Sequence, residues 1–144
     1  MATTTAEPRT SIRTQRDPRV VLQSVWIFAV LSYLYCDVLT LMHAEDLRAL
    51  LAGEVGGMRI TEGFLFGAAV LMQLPIVMVL VSRLAPHRAA RPACIAAGVV
   101  MTGVQATSLF VGTGVTAFYL LYSVIEISAT AFVVWYAWRW RSEN

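Results

Sequence analysis

From Pro92 to Ile125 the chain carries no charged residue. A straight helix of that length would overshoot a hydrocarbon core of about 30 Å at roughly 1.5 Å per residue, so the stretch must cross, turn and cross again. Gly112-Thr113-Gly114 is the cluster able to make the turn, which gives one span over 92–111 and another over about 115–138. Two more apolar blocks precede it: Val20 to Met42, with Asp37 as its one charge, and Gly63 to Ser82, with none. A spanning helix takes about 20 residues, so four such blocks nearly exhaust a chain of 144. Composition agrees, at 58% apolar and 14% charged, where a soluble domain runs near about 25% charged. The expected fold class is an all-α membrane protein, a four-transmembrane-helix bundle with short loops and no room for a separate catalytic domain.

The segments between the blocks set the organisation. Residues 1–19, rich in Thr, Pro and Arg and without apolar period, read as a disordered polar tail. Residues 20–140 form the membrane domain, with spans at about 20–42, 61–82, 92–111 and 115–138, and 141–144 are a short C-terminal tail. A cleaved signal peptide fits the first block poorly, because the apolar run is long and no small-x-small site follows it. A lipoprotein acceptor at Cys36 fails because Tyr35 precedes the cysteine. His43 to Arg59 is polar, with Leu47, Leu50 and Leu51 on one side of a short interfacial helix between spans 1 and 2 that Gly53 ends. Gly56-Gly57 reads as a flexible connection, and Thr61 as the cap of span 2. Pro75 falls inside that span and removes a backbone donor. Gly63 and Gly67 read as positions for close helix approach. Arg83 to Arg91 is a short basic connection, broken by Pro86 and closed by Pro92.

All eleven basic residues are arginine, and they are unevenly placed. Nine fall in the N-terminal segment, the central connection and the C-terminal tail, while the other side has only Arg48 and Arg59, offset by Glu45, Asp46 and Glu54. The positive-inside bias then puts both ends of the chain in the cytoplasm, with an even number of spans across the cell (inner) membrane. Trp135, Trp138 and Trp140 beside Arg139 and Arg141 suit the headgroup level. Fixing topology suffices to explain these arginines; binding anionic headgroups is the rival reading. A net charge of +2, dispersed along the chain, gives no reason to expect a nucleic-acid partner.

On these span limits Gln73, Gln105 and Glu126 fall near the bilayer midplane on three different helices. An ionisable group at that depth costs several kcal/mol unless it is paired, hydrated or protonated, so Glu126 is expected to face the bundle interior. Tyr119, Tyr122, Ser123 and Thr130 share its side of the last helix, and Gly98, Thr102 and Gln105 form a similar stripe on the third. Asp37 and Glu62 lie nearer the outer surface, with Tyr33 and Thr40 one turn from Asp37, and together with His43 they can make an acidic vestibule leading down to Glu126. The candidate polar pocket is therefore Glu126, Gln105, Gln73, Asp37, Glu62, Tyr119 and Tyr122. Two readings compete for it. One is a pocket or proton-linked path for a small cationic or neutral solute. The other has Gln73, Gln105 and Glu126 bonding one another as packing glue, with Asp37 and Glu62 paired to Arg48 or Arg59.

Other chemistries find little support. Cys36 and Cys94 belong to opposite ends of the bundle, too far apart for a disulfide. His43 and His87 lie on opposite sides of the membrane, so no metal or haem pair forms, and no cofactor is expected. No histidine lies at the depth of Ser32, Ser108 or Ser123 to act as base. No Gly-rich phosphate loop occurs.

Tyr35-Cys36-Asp37 stands late in the first span, and Pro75-Ile76-Val77-Met78 is followed by Ser82-Arg83-Leu84. Tyr119 through Glu126-Ile127 and a closing Ala137-Trp138 complete the set. With these motifs, over about Val20 to Trp140, the chain resembles the DUF6326 family, uncharacterised bacterial four-helix integral membrane proteins of unknown function. The basic connection differs from the family's Arg-x-x-Asn-Arg-like run, reading His87-Arg88-Ala89-Ala90-Arg91-Pro92 here. The resemblance implies an integral membrane protein with four helices, and Asp37, Pro75, Arg83 and Glu126 are the positions that match. The leading expectation is a non-enzymatic protein of the lipid bilayer, assembling as a homo-oligomer or with a partner membrane subunit, with Gly98, Gly103 and Ala106 as close-contact positions. A small proton-linked transporter or channel that uses Glu126 is the alternative, and a membrane enzyme ranks third because no acid, base and nucleophile converge.

Overall fold

Asp17 and Pro18 start the first helix. The Asp17 carboxylate accepts from the Arg19 backbone N–H at 3.0 Å, and Pro18 sits at the position where a missing donor costs nothing. Helix α1 therefore runs Pro18–Met42, and Pro18 and Arg19, expected in the polar tail, belong to it. The structure, a computed structural model, describes residues 17–110 and 116–140. The tail through residue 16, the turn expected at Gly112-Thr113-Gly114 and residues 141–144 lie outside the described residues.

The interfacial helix is present as α2, Ala44–Leu51. Gly53 follows its end with φ +79°, the left-handed conformation a helix terminator adopts. Gly56-Gly57 is a tight turn rather than a loose connection. Both glycines take positive φ, +55° and +79°, as a two-residue hairpin turn requires, and they join β1 (Glu54–Val55) to β2 (Met58–Arg59) in an antiparallel pair.

Helix α3 spans Glu62–Leu84, and Thr61 caps it as expected, its hydroxyl accepting from Phe64 N–H at 3.1 Å. Pro75 lies inside α3 and is buried. Helix α4 spans His87–Ser108, so most of the basic connection is helical and only Ala85 and Pro86 separate α3 from α4. Pro86 supplies the break. Pro92 closes nothing: it lies inside α4, where it leaves the Arg88 carbonyl without its usual helical donor. Helix α5 spans Ala117–Arg139.

Among the described residues the fold is thus all-α, with five helices and one minimal hairpin. Three helices, α1, α3 and α5, are long and apolar enough to cross a membrane. Helix α4 is long enough but carries Arg88, Arg91, Thr102 and Gln105 among small residues, and it falls short of the others in apolarity.

Contacts fix how the helices run. At one end Arg19 donates to the Arg83 carbonyl at 3.4 Å, Arg83 pairs with Asp17 at 3.6 Å, and His87 Nε2 donates to the Trp140 carbonyl at 3.3 Å. At the other end the His43 and Phe118 rings meet at 6.2 Å, and Tyr119 donates to Ser108 at 2.7 Å. The long helices therefore alternate in direction. Helix α1 packs on α3 and α5, and α4 packs on α3 and, most extensively, on α5. Their shared core holds Leu22, Trp26, Met78, Met101, Val133 and Ala137.

That arrangement collects Arg19, Arg83, Arg88, Arg91 and Arg139 at one end. Several serve the helix termini there. Arg91 donates from Nε to the Ala137 carbonyl at 3.2 Å and from a terminal nitrogen to the Trp138 carbonyl at 3.1 Å, satisfying the last turn of α5 with charge of the sign its dipole favours. Arg139 stacks 4.7 Å over the Trp135 ring.

Candidate functional site

The α4–α5 seam is built from small and polar side chains at helical spacing. Gly98 sets the approach: a Cβ there would stand 2.7 Å from Val134 Cγ2 and 3.2 Å from the Thr130 carbonyl oxygen. Of the other close-contact candidates, Gly67 and Gly103 have nothing within 4 Å of such a Cβ, and Gly63 meets only Thr61 Oγ1 at 4.0 Å. These glycines are exposed, and among the described residues no second helix comes within contact of them. With α4 held close, Thr102 and Thr130 share a hydroxyl hydrogen bond of 2.7 Å. One turn of α5 beyond Glu126, Gln105 Nε2 donates to Ser123 Oγ at 2.9 Å in a buried pair. The expected stripes therefore meet: Gly98, Thr102 and Gln105 face Ser123 and Thr130.

Glu126 lies between those two rungs. It is 1% exposed, and its Oε1 is buried with no hydrogen-bond partner among the described residues. The neighbouring hydroxyls are committed elsewhere, since Thr130 donates to the backbone carbonyls of Glu126 and Ile127. Helix α1 packs on α5 and turns the buried Tyr33 and Cys36 away from the outer surface. Tyr33 is 6% exposed, and its hydroxyl is also buried without a partner. Two packed helices, α1 and α5, thus each bury a polar side-chain atom that has no partner among the described residues, the Tyr33 phenol and the Glu126 carboxyl, although buried polar groups normally find partners.

The remaining candidates separate. Gln73 is exposed, opposite the buried Pro75, Met78 and Ser82 of α3, so it contributes nothing to the interior. Gln105 bonds Ser123 rather than Glu126, and because α4 starts at His87 and ends at Ser108 it lies in the last turn instead of at mid-span. The packing-glue arrangement of Gln73, Gln105 and Glu126 is therefore not formed. Glu62 is exposed at the start of α3. Among the described residues the side-chain ion pairs are His43–Asp46 at 2.9 Å and Arg83–Asp17, so neither Asp37 nor Glu62 pairs with Arg48 or Arg59. Tyr122 is half-buried, and half-buried Tyr119 ties α5 to α4 through Ser108. Cys36 and Cys94 are buried free thiols.

Tyr33, expected one turn from Asp37 in the outer vestibule, is buried, whereas Asp37 is exposed. It stands one turn after the buried Ala29 on α1, on the face that the other helices cover.

The model of a family of unknown function, DUF6326, matches residues 12–144. No curated protein and no solved structure matches the chain.

Proposed function

The chain belongs to the DUF6326 family of unknown function, and from that premise we propose that it is a four-span integral membrane protein whose interior carboxyl, Glu126, takes up and releases a proton or cation in moving a small solute. The observation that carries this reading is the buried Glu126 Oε1 without a hydrogen-bond partner. A carboxyl retained for packing would be expected to bond its neighbours, and the two seam bonds on either side pass it by. Intramembrane carboxyls face bundle interiors and mark ion pathways, which is the environment found here. The proposal is non-enzymatic, for no acid, base and nucleophile converge among the described residues. Counting α4 as the fourth span is supported by its alternation in direction with α3 and α5 and by its length. The arginine-rich end of the helices supports placing both ends of the chain on the cytoplasmic side of the inner membrane.

The test is a pH jump across proteoliposomes, comparing the wild-type protein with Glu126→Gln at equal reconstitution. Proton flux in the wild type that the variant loses is the expected result. Equal flux in both, or none in either, overturns the reading.

A second reading, self-association through α3, has its own support. Helix α3 is the least buried of the apolar helices, with 11% of its most apolar stretch covered. Its outward stripe is Phe66, Gln73 and Leu80, seven residues apart, with Phe66 and Leu80 72% and 58% exposed. An amide midway along that stripe faces hydrocarbon unless another amide meets it. A primary amide both donates and accepts, so two copies of Gln73 satisfy each other across a two-fold axis.

A further inference from the structure

Between α1 and α3 lies a cavity of about 220 Å³ lined by Val30, Tyr33, Leu34, Asp37, Met72, Pro75 and Ile76. We infer that this cavity is a binding site for an organic ammonium ion that enters sideways from the lipid, held by the Asp37 carboxylate at its mouth and by Tyr33 at its inner wall. The inference deepens the transport reading by naming the solute class, and rests on it only for what happens beyond Tyr33.

Position comes first. Asp37 and Tyr33 are one turn apart and share a side of α1. Asp37 is exposed and lies about 7 Å below the outer end of α1 at roughly 1.5 Å per residue. Its neighbours Leu34 and Ile76 are 56% and 44% exposed, so the mouth opens on the apolar outer surface of the helices rather than on water. A carboxylate in that setting, without an arginine partner among the described residues, is matched by a single positive charge.

The walls choose the kind of cation. Val30, Leu34, Met72 and Ile76 offer apolar surface, whereas a hydrated metal ion asks for several oxygen ligands. An ammonium bearing apolar substituents gains from both parts, with charge at Asp37, cation–π attraction at the Tyr33 ring and apolar burial against α3. Tyr33, whose hydroxyl is buried without a partner among the described residues, forms the inner wall of the cavity. A free amphipathic ammonium and the amine headgroup of a lipid share this chemistry.

The test uses the full chain in nanodiscs of phosphatidylglycerol, titrated with benzyltrimethylammonium and, separately, with its neutral carbon isostere neopentylbenzene. Saturable binding of the ammonium is expected, with affinity reduced about tenfold or more by Asp37→Asn, the loss of one charge pair. Leu34→Trp, which fills the cavity without touching a charge, is expected to abolish it. Competition when phosphatidylethanolamine is added identifies the lipid headgroup as the occupant, and its absence identifies the free solute; both keep the site. Equal binding of the isostere, or wild-type affinity in Asp37→Asn, overturns the inference. Glu126-dependent proton flux without ammonium binding would overturn it while leaving the transport reading intact, and the reverse result would sink the transport reading alone.

Discussion

The Gln105 amide donates to the Ser123 hydroxyl at 2.9 Å, and that bond leaves Glu126, one turn along α5, with no amide to meet. The pair closes the α4–α5 seam above the carboxyl as Thr102 and Thr130 close it below. Each bond is a coupling between two helices, and together they isolate Glu126 on the side facing α1.

The Gln105–Ser123 bond is expected to couple measurably. In a double-mutant cycle of Gln105→Leu and Ser123→Ala, unfolding in mixed micelles should give a coupling energy of about 0.5–1.5 kcal/mol, the range of interhelical hydrogen bonds in membranes. Ser123→Ala alone should destabilise more than the double variant loses per site, because it strands a buried amide donor.

Gly98 and Gly103 should behave as opposites. Gly98→Ala drives a methyl against Val134 and the Thr130 carbonyl, and is expected to destabilise by about 1–3 kcal/mol as α4 and α5 part. Gly103→Ala meets nothing, and helix propensity makes it neutral or stabilising by up to about 1 kcal/mol. Thermal unfolding of both variants in the same detergent checks the contrast.

Arg91 is expected to matter through its geometry as well as its charge. Arg91→Ala removes two bonds to the end of α5 and should cost about 1–2 kcal/mol. Arg91→Lys keeps the charge but not the planar fork, so it should recover only part of the loss. Denaturation of the three proteins side by side gives the ranking.

Cysteine accessibility tests the orientation. In a background with Cys36 and Cys94 replaced by Ala, Met58→Cys should react from outside intact cells with a membrane-impermeant maleimide. Arg88→Cys should react only after the cells are opened. Labelling of both from outside would contradict the arrangement of both ends in the cytoplasm.

Gln73 tests self-association. Gln73→Leu is expected to weaken energy transfer between labelled copies in liposomes, and Gln73→Cys to form a disulfide-linked dimer under mild oxidation, whereas Met78→Cys, on the buried face of α3, should not. Unchanged energy transfer in Gln73→Leu would remove the amide pair from the interface.

The sequence by itself determined the helices. Uncharged blocks bounded by arginines, Thr61 as a cap and Gly53 as a terminator gave the order of elements, because helix length, capping and hydropathy act over a few neighbouring residues. Where the local signals competed, the boundaries moved. Asp17-Pro18 started α1 early, and Pro92 was absorbed into the opening turns of α4. The stripe of Gly98, Thr102 and Gln105 was also legible, since residues three and four apart share a face whatever lies opposite. Which face meets which helix was not, because that depends on the rotation of each helix about its axis and the packing of all the others. Only the tertiary structure turned Gln73 outward, gave Gln105 to Ser123 and buried Tyr33 and Glu126 without partners among the described residues. A lone carboxyl in a helix has the same local pattern whether it is bonded or not. Its isolation is decided by distances between segments far apart in the chain.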